Sequence, residues 1–196
     1  MRSFKYIFVG SLSLIFISGC AGFQAKKLPL VNAKEISLTK SPKTNVFSRW
    51  TFVSDGSSIS ENVKVATAAI QKTEFEKAIK DTGCCEIVDN TSDAALIVEG
   101  TSYDESNPAA MIPAIITGLS LYTIPSWVTQ EFHIKVTSTA GSKTNQYELR
   151  DSFTLVQWLP MAFAFPFQGG PIKNGAELQS NTFRNLVVNM KNDGYS

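Results

Sequence analysis

From Val128 to Leu155 the chain reads with a period of two, and this pattern constrains everything around it. Val128, Gln130, Phe132, Ile134 and Val136 alternate with Thr129, Glu131, His133, Lys135 and Thr137. Successive side chains of a strand point to opposite faces, so the stretch predicts a strand with one apolar and one polar face. The turn Ala140-Gly141-Ser142-Lys143 leads into Tyr147, Leu149, Phe153 and Leu155, alternating with Glu148, Arg150, Ser152 and Thr154. Two such strands joined by so short a turn make an antiparallel hairpin, whose apolar face must be covered by other elements.

The remaining sequence supplies the cover. The run from Phe47 to Val53 has the aromatic and β-branched content of a strand, and Asp55-Gly56-Ser57-Ser58 ends it. Ser58 and Glu61 then stand at capping-box spacing, and Val63, Ala66, Ile70, Phe75, Ala78 and Ile79 recur at helical intervals up to Gly83. This predicts a helix over 59–82, with a stripe that shifts near Thr73. A short strand over 85–88 and a longer one over 94–103 follow, separated by the loop 89–93. A last helix is marked by Asn174 and Glu177 as a second capping box, with Leu178, Phe183, Leu186, Val187 and Met190 as its buried stripe before Gly194. The expected fold class is α+β: a mostly antiparallel sheet with two helices packed on one face, as a single domain over 36–196. There is no internal repeat.

Two uncharged segments flank the hairpin, and they do not fit the same pattern. No charge occurs from Ser106 to Gln130, around the apolar stretch 108–128, and none from Ser152 to Ile172, around 155–167. One leads into the hairpin and the other out of it, so antiparallel geometry sets them side by side at one end. Pro113 and Pro125 bracket 11 residues, too few to span a bilayer. In the second segment Met161, Phe163, Phe165 and Phe167 alternate with small residues, which predicts extended chain. Both segments either cover the sheet's second face as core or form one exposed apolar surface. In the second case Ile115, Leu119, Leu121, Trp127, Trp158, Phe163, Phe165 and Phe167 are the candidate contacts with a membrane or a partner, the tryptophans being suited to the interface.

The N-terminus bears on that choice. Arg2 and Lys5 precede an uncharged run from Tyr6 to Ile17, the basic and apolar regions of an export signal and too short for a transmembrane helix. Ile17-Ser18-Gly19-Cys20 follows and resembles the lipobox of bacterial lipoproteins, with Ile17 where leucine is commonest. The resemblance implies removal of residues 1–19 and lipidation of Cys20, with chains enough to anchor the protein without a span. Ala21, in place of the aspartate that resembles an inner-membrane retention signal, implies transport to the outer membrane, most simply facing the periplasm. Residues 20–35, with Lys26, Lys27 and Pro29, read as the lipidated N-terminus and a tether.

Of 18 basic residues Arg2 and Lys5 leave with the signal, so 16 stand against 17 acidic ones. A chain this close to neutral has no stripe for a phosphate backbone, and nucleic acid is not an expected partner. The only histidine, His133, falls on the polar face of its strand, where a solvated side chain is expected rather than a catalytic base. Cys84 and Cys85 with one distant histidine do not complete a zinc site. Adjacent Cα atoms lie closer than the usual disulfide range, so the pair reads either as structural thiols or as a redox or cross-linking site in an oxidising compartment. Gly169-Gly170-Pro171 lacks the lysine and hydroxyl of a phosphate loop. No catalytic residue, metal or cofactor is expected.

The reading is of a non-enzymatic lipoprotein acting by interaction, structurally or as an accessory of an envelope complex. Its plan resembles, in architecture alone, the small sheet-and-helix domains of envelope lipoproteins that assist assembly of outer-membrane machinery. The alternative is a periplasmic carrier whose apolar segments line a pocket for a lipid or similar ligand.

Overall fold

The computed structural model of the chain describes residues 20–32, 36–37, 42–54, 59–104, 111–161 and 171–194. The fold is α+β. Its strands are β1 (Cys20–Gln24), β2 (Thr44–Ser54), β3 (Cys85–Ile87), β4 (Leu96–Asp104), β5 (Ser126–Ala140) and β6 (Lys143–Gln157). The helices are α1 (Glu61–Thr82), α2 (Met111–Leu119) and α3 (Pro171–Asn192). The six strands form a sheet in the order β1-β6-β5-β4-β2-β3.

The hairpin forms as its alternation requires, longer than the pattern alone indicates. Gly141 has φ +58 at the first central position of a two-residue turn, which a type II′ turn demands and glycine supplies without strain. The sheet is mixed rather than mostly antiparallel. β4–β5 and β1–β6 are antiparallel, but β2 runs parallel to both β3 and β4. The reason is α1, which carries the chain back to the end of the sheet where β2 began, so the strand after it runs in the same direction.

The chain divides into two compact units. The larger comprises Lys26–Glu105, Glu131–Asp151 and Glu177–Ser196. Here α1 and α3 cover one face of the strands, as the two-helix expectation had it. Trp50 of β2 packs on Phe75 of α1 at 5.5 Å between ring centroids and edge-on to Phe183 of α3 at 5.1 Å. Val46, Leu96, Val98, Ile134, Val136 and Leu149 complete the buried layer beneath them. Gly100 permits this packing: a Cβ there would stand 2.6 Å from Cη2 of Trp50 and closer still to Cε3 and Cζ3.

The helices differ from expectation at their starts. α1 begins at Glu61 with Ser60 as N-cap and no side-chain cap bond; Ser58, expected to open the capping box, lies outside the described residues. Its buried positions are Gln71, Phe75, Ala78, Ile79 and Thr82, whereas Val63 and Ile70 are exposed. Only the second half of the helix lies over the sheet, which accounts for the shift of stripe near Thr73. It ends at Gly83, in the left-handed region, whose N–H bonds the Lys80 carbonyl. α3 begins three residues before Asn174, at Pro171, a residue suited to a first helical position. Its expected stripe, from Leu178 to Met190, is buried.

Residues 20–31, expected to begin a tether, are built into the structure. In the smaller unit β1 pairs with β6. In the larger, the Val31 N–H donates to Asn181 Oδ1 at 3.0 Å, and Asn181 and Asn185 both donate to the Pro29 carbonyl. These bonds hold the segment on α3, a contribution that a reading for Lys and Pro content misses.

Candidate functional site

The smaller unit comprises Met1–Ala25, Ser106–Gln130 and Ser152–Ala176. From Cys20 onward it contains one charged residue, Lys173. Its interior is equally unusual: the buried residues include Ala21, Thr117, Ser126, Ser152 and Asn174, which are small or polar. Many of its large apolar side chains among the described residues are exposed.

The first uncharged segment builds most of that surface. α2 tolerates Pro113 because the proline is its third residue, where the missing N–H has no intrahelical partner to lose. Thr117 is fully buried and returns its hydroxyl to the Pro113 carbonyl at 3.0 Å. Ile112, Ile115, Ile116 and Leu119 all project outward, and Leu119 is 82% exposed. The helix closes in a Schellman arrangement, with Leu121 N–H on the Gly118 carbonyl and Tyr122 N–H on that of Thr117. The position usually filled by glycine is occupied by Leu121 at φ +53, and Tyr122 follows at φ +63. Left-handed backbone at a non-glycine residue costs about 1–2 kcal/mol, and at Leu121 it holds out a side chain that is 63% exposed.

The second segment meets the first, as the hairpin geometry requires. The Leu159 N–H donates to the Tyr122 carbonyl at 2.8 Å, Ser126 Oγ donates to Gln157 Oε1 at 3.3 Å, and the hydroxyls of Thr129 and Thr154 pair at 2.9 Å. Ile124, Trp127 and Trp158 are exposed alongside. β1 brings in the expected lipidation residue, since Cys20 is the register partner of Gln157. Asn174, the expected cap of α3, instead donates to the Gly22 carbonyl at 2.7 Å, and its own carbonyl accepts from Gln24 Nε2 at 3.1 Å. These bonds fasten β1 to the start of α3.

Of the candidate contact residues, Ile115, Leu119, Leu121, Trp127 and Trp158 therefore share one unit with Cys20, all five exposed. Phe163, Phe165 and Phe167 lie outside the described residues. The sequence reading omitted Ile112 and Ile116, which helical spacing around Ile115 and Leu119 would have supplied, and Ile124, which lies beyond the helix. No sequence signal marked the left-handed pair Leu121 and Tyr122.

The other candidates lie in the larger unit. Cys84 and Cys85 are joined by a disulfide, and both are buried in the core beside β3. Thr82 donates to the Cys84 sulfur at 2.9 Å and accepts from the Cys84 N–H. His133 is not solvated: it is 2% exposed, stacks on Tyr103 at 4.8 Å, and places Nε2 3.0 Å from Glu148 Oε1. Neighbouring side chains on the sheet's outer face shut water out, which strand alternation does not register. Around it, Lys27 bonds Glu131 at 2.9 Å, and Arg150 bonds Glu148 through Nη2 and Nε. The Lys27 hydrogen bond and charge hold Glu131 below the ordinary carboxylate range, and Arg150 does the same for Glu148. Burial pushes Tyr147 above its usual value. Among the described residues no three His, Cys, Asp or Glu side chains converge as a metal site, and no helix is long and apolar enough to cross a membrane.

No family model matches the chain, and no curated protein matches it. Solved structures similar to it include the hypothetical protein CT253 from Chlamydia trachomatis, 10% identical at a TM-score of 0.40 over 76% of this chain and 97% of that one. Others are the PelC dodecamer from Paraburkholderia phytofirmans, 6% identical at 0.37 over 84% and 96%, and protein XCC0632 from Xanthomonas campestris, 8% identical at 0.38 over 78% and 87%. Identities of 10% or less and TM-scores of 0.40 or less assign this chain to none of them.

Proposed function

We propose that the chain is an outer-membrane-anchored lipoprotein that works by interaction, as a structural or accessory component of an envelope complex, with its apolar surface turned to the membrane or to an integral partner. The observation that carries this reading is the position of Cys20. The residue that the lipobox marks for acylation begins the edge strand of the same compact unit that turns isoleucines, leucines and two tryptophans outward.

An exposed apolar surface of this kind is costly in water and marks a membrane or partner site. Acyl chains on Cys20 bring the unit to a bilayer, and α2 then lies at the interface with Trp127 and Trp158 at headgroup level. With Lys173 as the one charged residue of the unit beyond Cys20, apolar burial rather than attraction to anionic lipid drives the contact. The binding is accordingly insensitive to salt. The larger unit presents paired charges and a closed core, and it carries the protein partner's side of the interaction.

The test is a Cys20→Ser variant exported with a signal that is not lipidated, fractionated after a high-salt wash. Retention with membranes, lost when Leu119→Asp and Ile115→Asp are added, is the expected result. A Cys20→Ser chain that is fully soluble and monomeric removes the proposal.

A further inference from the structure

The C-terminal half of α2 and the turn that follows it keep their hydrogen bonds to themselves. Each N–H from Ser120 to Ile124 has an acceptor within this stretch. Ser120 donates to the Ile116 carbonyl, Leu121 to that of Gly118, Tyr122 to that of Thr117 and Thr123 to that of Ser120, while Ile124 donates to Ser120 Oγ at 3.1 Å. Pro125 comes next and has no N–H. The hydroxyls are satisfied in the same way: Ser120 Oγ donates to the Thr117 carbonyl at 2.9 Å, Thr123 Oγ1 to the Ser120 carbonyl at 2.7 Å and Thr117 Oγ1 to that of Pro113. The Tyr122 carbonyl accepts from Leu159.

Such closure gains little in water, where an exposed loop N–H is served by solvent. Over the same stretch Ile115, Ile116, Leu119, Leu121 and Ile124 are exposed. In hydrocarbon an unpaired N–H has no acceptor, and this keeps irregular backbone out of it. Around Leu121 that obstacle has been removed, and the side chains turned outward are aliphatic. A protein groove does not require the closure either, since its own polar groups can pair with a loop. No charged residue occurs from Ser106 to Gln130, so nothing in the stretch selects an acidic or a basic partner. Trp127 follows three residues after Ile124, and Cys20 belongs to the same unit.

We infer that residues 115–124 form an insertion tip for an uncharged phospholipid leaflet, with Ser120 as the residue that closes its hydrogen bonds. The tip enters about 5–10 Å, at the boundary between headgroups and acyl chains. This rests on the proposed membrane-facing role and narrows it to lipid rather than an integral protein. Ser120 acts through its N–H, its carbonyl and its hydroxyl together. Without the hydroxyl the Ile124 N–H loses its acceptor. Water makes good that loss in the free chain, whereas hydrocarbon cannot.

The experiment uses the mature chain from residue 20 with Cys20→Ser and protein-free phosphatidylcholine vesicles, with binding read by sedimentation. The parent is expected to bind. Ser120→Ala makes the tip more apolar, yet it is expected to weaken binding about tenfold or more while leaving the urea midpoint unchanged. Thr123→Val removes a hydroxyl but leaves the Ser120 carbonyl its bond from the Thr123 N–H, and it is expected to bind at least as tightly as the parent. Leu119→Asn leaves the backbone bonds of α2 in place and is expected to lose binding, a readout that stands even where Ser120→Ala disturbs the fold. Ser120→Ala binding as tightly as the parent, or Leu119→Asn binding unchanged, overturns the inference. Retention of the parent on native membranes without binding to these vesicles also overturns it, since an integral protein then holds the tip and the proposed function stands. Retention on neither removes both.

Discussion

Cys20 lies opposite Gln157 in the ladder between β1 and β6, so the residue marked for lipidation is one register position from Trp158. Gln157 in turn holds Ser126, the neighbour of Trp127. Both exposed tryptophans are thus tied by strand geometry to the point where the lipid would enter the bilayer.

Leu121→Gly separates stability from function in this surface. Glycine removes the cost of a left-handed backbone, about 1–2 kcal/mol, and gives back part of it as unfolded-state entropy. The variant should be more stable by about 0.5 kcal/mol in urea unfolding while binding vesicles more weakly than the parent. Lower stability would mean that Leu121 is held by packing that its exposure does not show.

Gly100→Ala should destabilise the larger unit by about 1–3 kcal/mol, the usual cost of overpacking a core, because the new methyl enters the Trp50 ring. Trp50→Phe is costly by itself, yet it should recover part of the Gly100→Ala loss when the two are combined. Simple additivity in that double-mutant cycle would contradict the contact.

Glu131 is held below the ordinary carboxylate range first by its hydrogen bond from Lys27 and then by the lysine's charge. A depressed folded-state value means that its stabilising contribution is present above the unfolded value and is lost as pH falls through the folded one. Lys27→Met should raise the Glu131 titration midpoint in a carboxyl-resolved NMR titration and move the onset of acid unfolding to higher pH. An unchanged midpoint would exclude Lys27 as the cause.

The bond between Cys84 and Cys85 closes almost no chain. Loop-closure entropy for so short a loop amounts to about 1 kcal/mol, so reduction should lower stability by no more than about that amount and leave the fold intact. Thiol titration of the unfolded, unreduced chain with Cys20→Ser should find no free thiol at either position. Two free thiols there would refute the linkage.

Periodicity carried the sheet and the helices a long way. The alternation at 128–136 and 147–155 defines the hairpin, and Leu178 to Met190 defines the buried face of α3. Direction was less legible. That β2 and β4 run parallel depends on where α1 returns the chain, which no local pattern records. Burial failed at both extremes: His133 sits on a polar face yet is closed over by Tyr103 and Glu148, while Ile112 and Leu119 have core composition and stand in solvent. Short apolar runs read alike whether they fill a core or leave it. β1 was missed because residues 20–24 are small and unpatterned, and their pairing depends on Asn174, 150 or more positions away.

The central claim is tested most directly by fluorescence quenching of the Cys20→Ser chain on zwitterionic vesicles brominated near the headgroups. Trp50 is buried against Phe75 and Phe183 and serves as the internal reference for Trp127 and Trp158. Quenching that persists in high salt and disappears in the Trp127→Phe, Trp158→Phe double variant is the expected result. Emission unaffected by the brominated lipid, or quenched equally in the double variant, would contradict a membrane-facing role for the unit that begins at Cys20.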